Sequence, residues 1–320
     1  MRMKRNISMK SFNLFIALMF VLLFAITGIT SAHAKIYVVT TTPDLADIAG
    51  NIGGDKVKVV SIAKGFQDPH FVEAKPSHML KLRKADLYLV AGLDLEIGWS
   101  PVLERGARNP RIMKGASGYI DCSSGIRPVE VPSTRIDRSM GDVHPLGNPH
   151  YLTDPNNAII VAKNIAKAFK KKDPANAGYY NKRLKAYVKK LIRAQIGWLK
   201  AMRPYKGLKV VTYHKNWSYL SKRFGLKVIG YVEPKPGIAP SPAHISKLIK
   251  AMKAHNVKIL IRAPYFESKI PDMICRQTGA RQVVLPLMPG AVKGADNYID
   301  MFNIIISRLT NAARAVGAGR

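Results

Sequence analysis

Eight histidines are scattered through the 320 residues, and three of them stand where a ring nitrogen can be aimed. His70 lies in "GFQDPHFVEAKPS", His150 in "NPHYLTDPNNA", and His214 closes the run "LKVVTYH". Asp68-Pro69-His70 and Asn148-Pro149-His150 share a small pattern: a pyrrolidine ring fixes the residue before each histidine and so limits the directions its side chain can take. Neutral imidazole is a good zinc ligand and an acceptable one for manganese or iron, and three histidines without a thiolate form a familiar zinc set. Taken singly, scattered histidines are more often ordinary surface or core residues. Spacing alone leaves both readings open.

The elements that must position these rings alternate. "KIYVVTTTP" reads as a strand, "DLADIAGNIGG" as a helix, "DKVKVVSIA" as a strand, and "SHMLKLRKA" as a helix leading into the strand "DLYLVAGL". A second set repeats the scheme from "LKVVTYH" to "RQVVLPL", through the strands "LKVIGYV" and "VKILIRAP" and three intervening helical patterns. Alternation of this kind predicts an α/β fold of two doubly wound lobes with parallel sheets covered by helices. Ligands of such sheets gather beyond the carboxyl ends of the strands, where His70 and His214 are expected. Between the two sets, Tyr180, Leu184, Tyr187, Val188, Leu191, Ile192 and Ile196 recur at helical spacing. They predict a single long backbone helix, a stiff spine that restricts how far the lobes can close. The expected organisation is residues 1–34 as a signal peptide, 35–172 as an N-terminal α/β lobe, 173–204 as the backbone helix and 205–320 as a C-terminal α/β lobe.

The leader rests on a basic start (Arg2, Lys4, Arg5, Lys10), the apolar run "FNLFIALMFVLLFAITGI" and the small-x-small pattern Ala32-His33-Ala34. Cleavage after Ala34 would place the mature chain in the periplasm. No cysteine stands at the cleavage site, so no lipid anchor is expected there. The net charge is +31, and removing the four cationic residues of the leader leaves +27. The lysines and arginines are spread over the whole chain at spacings of solvated helix faces, without a nucleic-acid-binding signature, so no nucleic acid is expected as a partner. Cys122 and Cys275 are assigned to different lobes and are expected to stay unpaired.

The stretches "DPHFVEAKPS", "NPHYLTDPNNA", "TYHKNWSYLSKRFGL", "EPKPGIAPSPAHI" and "GADNYIDMFN" together resemble the metal-binding receptors of zinc and manganese ABC importers, in order and over almost the whole mature chain. The resemblance implies two α/β lobes joined by one long helix, with the metal held in the cleft between them. It implies His70 and His150 as ligands from the first lobe and His214 as the first ligand from the second. The implied cargo is Zn2+, with Mn2+ or Fe2+ as alternatives. The implied partner is the membrane permease of a metal ABC importer, and the receptor is expected to be a monomer and not an enzyme.

One departure stands out. The family commonly takes a fourth ligand from an aspartate in a "Leu-Asp-Pro-Leu"-like segment, whereas this chain reads "VVLPLMPGAVKGAD", with Leu285 and Pro286 and no carboxylate. The fourth position then falls to water or to another acid, for which Glu233 is the best substitute. Asp296 and Asp300 read as cap or helix positions. His144, in "GDVHPLGNPH", is a further candidate, either for metal capture or in place of His150. His78, His244 and His255 are expected to face solvent. The competing class is a secreted zinc-dependent hydrolase, with Glu73 as its general base, but no His-Glu-x-x-His helix accompanies it.

Overall fold

The computed structural model describes residues 35–134, 141 and 143–319; the proposed leader lies outside them. The first sheet consists of β1 (Ile36–Thr40), β2 (Val57–Ser61), β3 (Leu87–Val90) and β4 (Tyr119–Asp121). All its pairings are parallel, in the order β2-β1-β3-β4. The second sheet repeats this plan with β5 (Lys209–Thr212), β6 (Lys227–Tyr231), β7 (Ile259–Arg262) and β8 (Arg281–Val284), in the order β6-β5-β7-β8. In each sheet the chain first adds a strand on one side of its opening strand and then crosses to the other. The switch points therefore lie between β1 and β3 and between β5 and β7, where a doubly wound sheet opens a crevice at its carboxyl edge.

The first lobe's helices are α1 (Pro43–Gly53), α2 (Pro76–Lys84), α3 (Ser100–Ala107) and α4 (Pro155–Lys172). The spine is α5 (Ala177–Met202), and the rest are α6 (Ser218–Phe224), α7 (Pro242–Ala254), α8 (Lys269–Thr278) and α9 (Tyr298–Ala315). Short 3-10 turns at Pro174–Asn176 and Arg203–Tyr205 bracket α5. At ~1.5 Å per residue this helix is on the order of 40 Å long.

Strand alternation sorts the core. Val38, Leu87 and Leu89 point to one side of the first sheet, and Val39, Tyr88 and Val90 to the other. In the second sheet Val210, Ile259 and Ile261 oppose Val211 and Leu260 in the same way. Both faces are buried, which is why the strands read as near-continuous apolar runs. The inward faces of the two sheets belong to one shared core, closed by α1, α4, α5 and α9. The spine is thus packed into both lobes, with Trp198 stacked on Phe302 at 4.9 Å and its Nε1 donating to Asn303 at 2.8 Å.

The buried stripe of α5 differs from the sequence expectation. It runs through Tyr180, Tyr187, Leu191, Gln195, Trp198 and Met202, while Ile192 and Ile196 are exposed. Leu191 and Ile192 lie about 100° apart on the helix, and only one can face the core. The two cysteines are free, Cys122 in the first lobe and Cys275 on α8.

Candidate metal site

His70 sits in the loop that follows β2, and the Asp68 carboxylate fixes it twice. Asp68 Oδ1 accepts from the His70 backbone N–H at 3.0 Å and from its ring Nδ1 at 2.7 Å. The first bond is an Asx turn, in which an Asp or Asn side chain reaches the amide two residues on. Trp99 Nε1 pins the intervening Pro69 carbonyl at 2.9 Å. With Nδ1 taken, Nε2 is left buried without a partner, an arrangement that a native protein seldom leaves unexplained.

His150 repeats the device. Asn148 Oδ1 accepts from the His150 N–H at 2.9 Å, so the shared Asx-Pro-His pattern is a shared Asx turn. The Asn148 amide also spans to the second lobe, donating to the Lys215 carbonyl at 2.8 Å, while Tyr219 donates to the Asn148 carbonyl at 2.7 Å. Downstream, Asp154 caps α4 by accepting from the Asn156 N–H at 2.9 Å, with Pro155 in the first turn. The loop is held at both ends. Asn216 Nδ2 approaches His150 Nε2 at 3.4 Å.

His214 follows β5, at the switch point of the second sheet. Its Nδ1 donates to Glu233 Oε2 at 2.7 Å; Glu233 comes from the end of the neighbouring strand β6, and its backbone N–H bonds to the Tyr213 carbonyl at 3.0 Å. Pairing of β5 with β6 therefore delivers ring and carboxylate together.

The loops converge. Candidate ligand atoms of His70, His150 and His214 all lie within 4.8 Å of one another, and among the described residues they are the one such group of histidine, cysteine or acid side chains. Ring centroids are 5.0 Å apart for His70 and His150, 5.5 Å for His70 and His214, and 5.6 Å for His150 and His214. Glu233, the candidate offered beside water for the fourth position, is not a member of this group; its Oε2 accepts from His214 Nδ1. Leu285 is completely buried.

Electrostatics keep the rings ready for a cation. Burial lowers the His150 pKa well below the usual imidazole range, and the neighbouring His70, His214 and His144 rings lower it further. Burial likewise lowers that of His144 to about 3, helped by His70 and His214. For Asp68, burial raises the pKa, but the hydrogen bonds and charge of His70 outweigh it and the net direction is down. His144 and His150 are thus held neutral beside an Asp68 whose charged form is favoured. The remaining histidines lie apart. His255 is exposed, whereas His78 and His244 are half-buried rather than solvent-facing, His244 through a 3.0 Å bond to the Tyr231 carbonyl.

Residues 38–312 match the family model described as the periplasmic zinc-uptake complex component A, ZnuA. The chain belongs to this family of ABC-importer metal receptors. Among curated relatives, the manganese ABC transporter substrate-binding lipoprotein PsaA of Streptococcus pneumoniae is 33% identical over 263 residues, 81% of each chain. The high-affinity zinc uptake system protein ZnuA of Bacillus subtilis is 27% identical over 83% of this chain and 84% of its own length. A solved structure described as the crystal structure of ZnuA superimposes with a TM-score of 0.73, covering 87% of this chain and 99% of that one. At 24% identity this likeness speaks to the fold. Members of the ZnuA family are solute-binding receptors, so the site has to account for capture and release.

Nothing local in the sequence names Glu233 as the partner of His214, since 19 residues and a helix separate them. Asp68, by contrast, stands two residues before His70, where the Asx-turn pattern is readable.

Proposed function

We propose that this protein is an extracytoplasmic receptor that captures one divalent transition metal on His70, His150 and His214 and delivers it to the permease of an ABC importer. The preferred cargo is Zn2+, and the receptor acts as a single chain. The observation that carries the proposal is the convergence of the three imidazoles within 4.8 Å, two of them backed by carboxylates at 2.7 Å. A carboxylate that accepts from one ring nitrogen fixes the tautomer, orients the ring and raises the basicity of the other nitrogen. Asp68 and Glu233 do this for His70 and His214. Their two negative charges offset the two of the cation in a chain whose overall charge is +31. The set offers nitrogen without a directly engaged carboxylate oxygen, a composition that favours zinc over the oxygen-seeking manganese.

An extracytoplasmic place accords with the leader pattern and the periplasmic family description. No helix of the described residues is long and apolar enough to cross a membrane. The hydrolase alternative finds no support at the site: Glu73, its would-be general base, is exposed and pairs with Lys75 at 3.1 Å.

The test is elemental analysis of protein purified without added metal, together with zinc titration of His70→Ala, His150→Ala, His214→Ala and the triple variant. One equivalent of zinc is expected in the parent, with affinity reduced by orders of magnitude in each variant and the circular dichroism unchanged. A triple variant that binds as tightly as the parent would show that the site lies elsewhere.

A further inference from the structure

His144 stands beside the three-histidine group. Its ring centroid is 5.3 Å from that of His70, no farther than the members of the group stand from one another. Its Nε2 is buried and has no hydrogen-bond partner, as in His70. The ring lines, with His150 and His214, a pocket of about 40 Å3, room for one water or a small ion. On its other side it borders, with His70, an open cavity of about 770 Å3.

We propose that His144 supplies the fourth ligand of the site, replacing the family's missing aspartate with an imidazole and acting as the last ligand on and the first off. The proposal rests on the reading that His70, His150 and His214 hold the metal. His144 lies outside the tight group, on a short strap, residues 143–147, at the mouth of the cleft. The strap turns on a bond from the Gly147 N–H to the His144 carbonyl at 3.1 Å, with Gly147 at φ 99°. Gly141, just ahead of the strap, is pressed against the second lobe so closely that a Cβ there would lie 2.1 Å from the Pro236 carbonyl oxygen. Val143 and His144 of the strap line the pocket against Lys215 and Pro236 of the second lobe, and a small adjustment of a turn brings the ring in while the other three ligands stay on their Asx turns and strand ends. A fourth nitrogen donor completes a tetrahedron that zinc accepts readily.

Zinc K-edge X-ray absorption on the full mature chain counts bound imidazoles by their multiple scattering. Four are expected in the parent and three plus an oxygen donor in both His144→Ala and His144→Gln. Zinc release to a competing chelator should accelerate about 100-fold or more in both variants, beyond what loss of a partner behind a ligand produces. A parent with three imidazoles, and His144 variants with the parent's spectrum and release rate, would overturn the proposal while leaving the three-histidine reading intact. His70→Ala separates the two: it should lower the count as well, and a count unchanged in that variant would remove both readings together.

Discussion

Glu233→Gln distinguishes a carboxylate that holds a ligand from one that is a ligand. In the structure its Oε2 lies 2.7 Å from His214 Nδ1, with only 11% of the side chain exposed. A glutamine retains the shape and can still accept through its amide oxygen, so what is lost is the charge. A hydrogen bond to a charged group contributes roughly 1.5–3 kcal/mol, against about 1 for a neutral one. Part of this difference reaches the metal through the ring, and partners behind metal ligands are typically worth about 10- to 100-fold in affinity. Glu233→Gln should therefore weaken zinc binding by about 10- to 100-fold, read by competition with a fluorescent chelator near neutral pH. Asp68→Asn should do much the same through His70, somewhat less because Asp68 is 21% exposed and water screens it better. His214→Ala, which deletes a donor, should cost far more than either. A Glu233→Gln variant as weak as His214→Ala would mean that the carboxylate itself binds the metal, and one indistinguishable from the parent would mean that it does not tune the ring at all.

Three further outcomes follow from the same geometry. Zinc should displace manganese in direct competition, because the convergent donors are imidazole nitrogens; equal affinities would refute selectivity by donor type. The metal-free protein should lose stability as pH falls from 6.5 towards about 3, because His144 and His150, neutral when buried, take up protons only on unfolding, so the unfolded state binds more protons throughout that window. Thermal unfolding across this range should show the slope, and His144→Gln should flatten it. Small-angle scattering of metal-free and metal-loaded protein should nearly superimpose, whereas a compaction on the scale of hinge-closing receptors would contradict a spine packed into both lobes.

The parallel strands were readable because burial on both faces leaves little alternation to confuse them with amphipathic helix. β4 was not: three residues, Tyr119–Asp121, are too few for a period, and a glycine and serines flank them. The α3 helix was hidden by Pro101 at its first turn and Gly106 near its end, residues that read as loop until the N-terminal position of the proline is known. On α5 the period was legible, but its phase was not. Apolar residues on two adjacent faces compete, and only packing against α1, α4 and α9 decides for Leu191 over Ile192. At the site, the Asx-Pro-His repeats carried a local signal because an Asx turn is written in three consecutive residues. The pairing of His214 with Glu233 depends on two strands lying side by side, and that information is distributed over the whole second lobe.

In the proposed receptor, the shared core also limits how metal can leave. The inward faces of both sheets, together with α1, α4, α5 and α9, form one apolar body, and swinging the lobes apart would expose it at about 25 cal/mol per Å2. Bonds from Asn148 to Lys215 and from Tyr219 to Asn148 stitch the cleft directly beside His150. Movements that open the site at small cost must therefore be local, in loops whose apolar contacts are few. His70, His150 and His214 stand on the stiff parts, namely two Asx turns and the end of a strand. Ligands on stiff supports set affinity and selectivity, while exchange is left to whatever covers them. A receptor that has to bind tightly and yet surrender its cargo gains from this division, since a partner that disturbs the cover changes the release rate without dismantling the site beneath it.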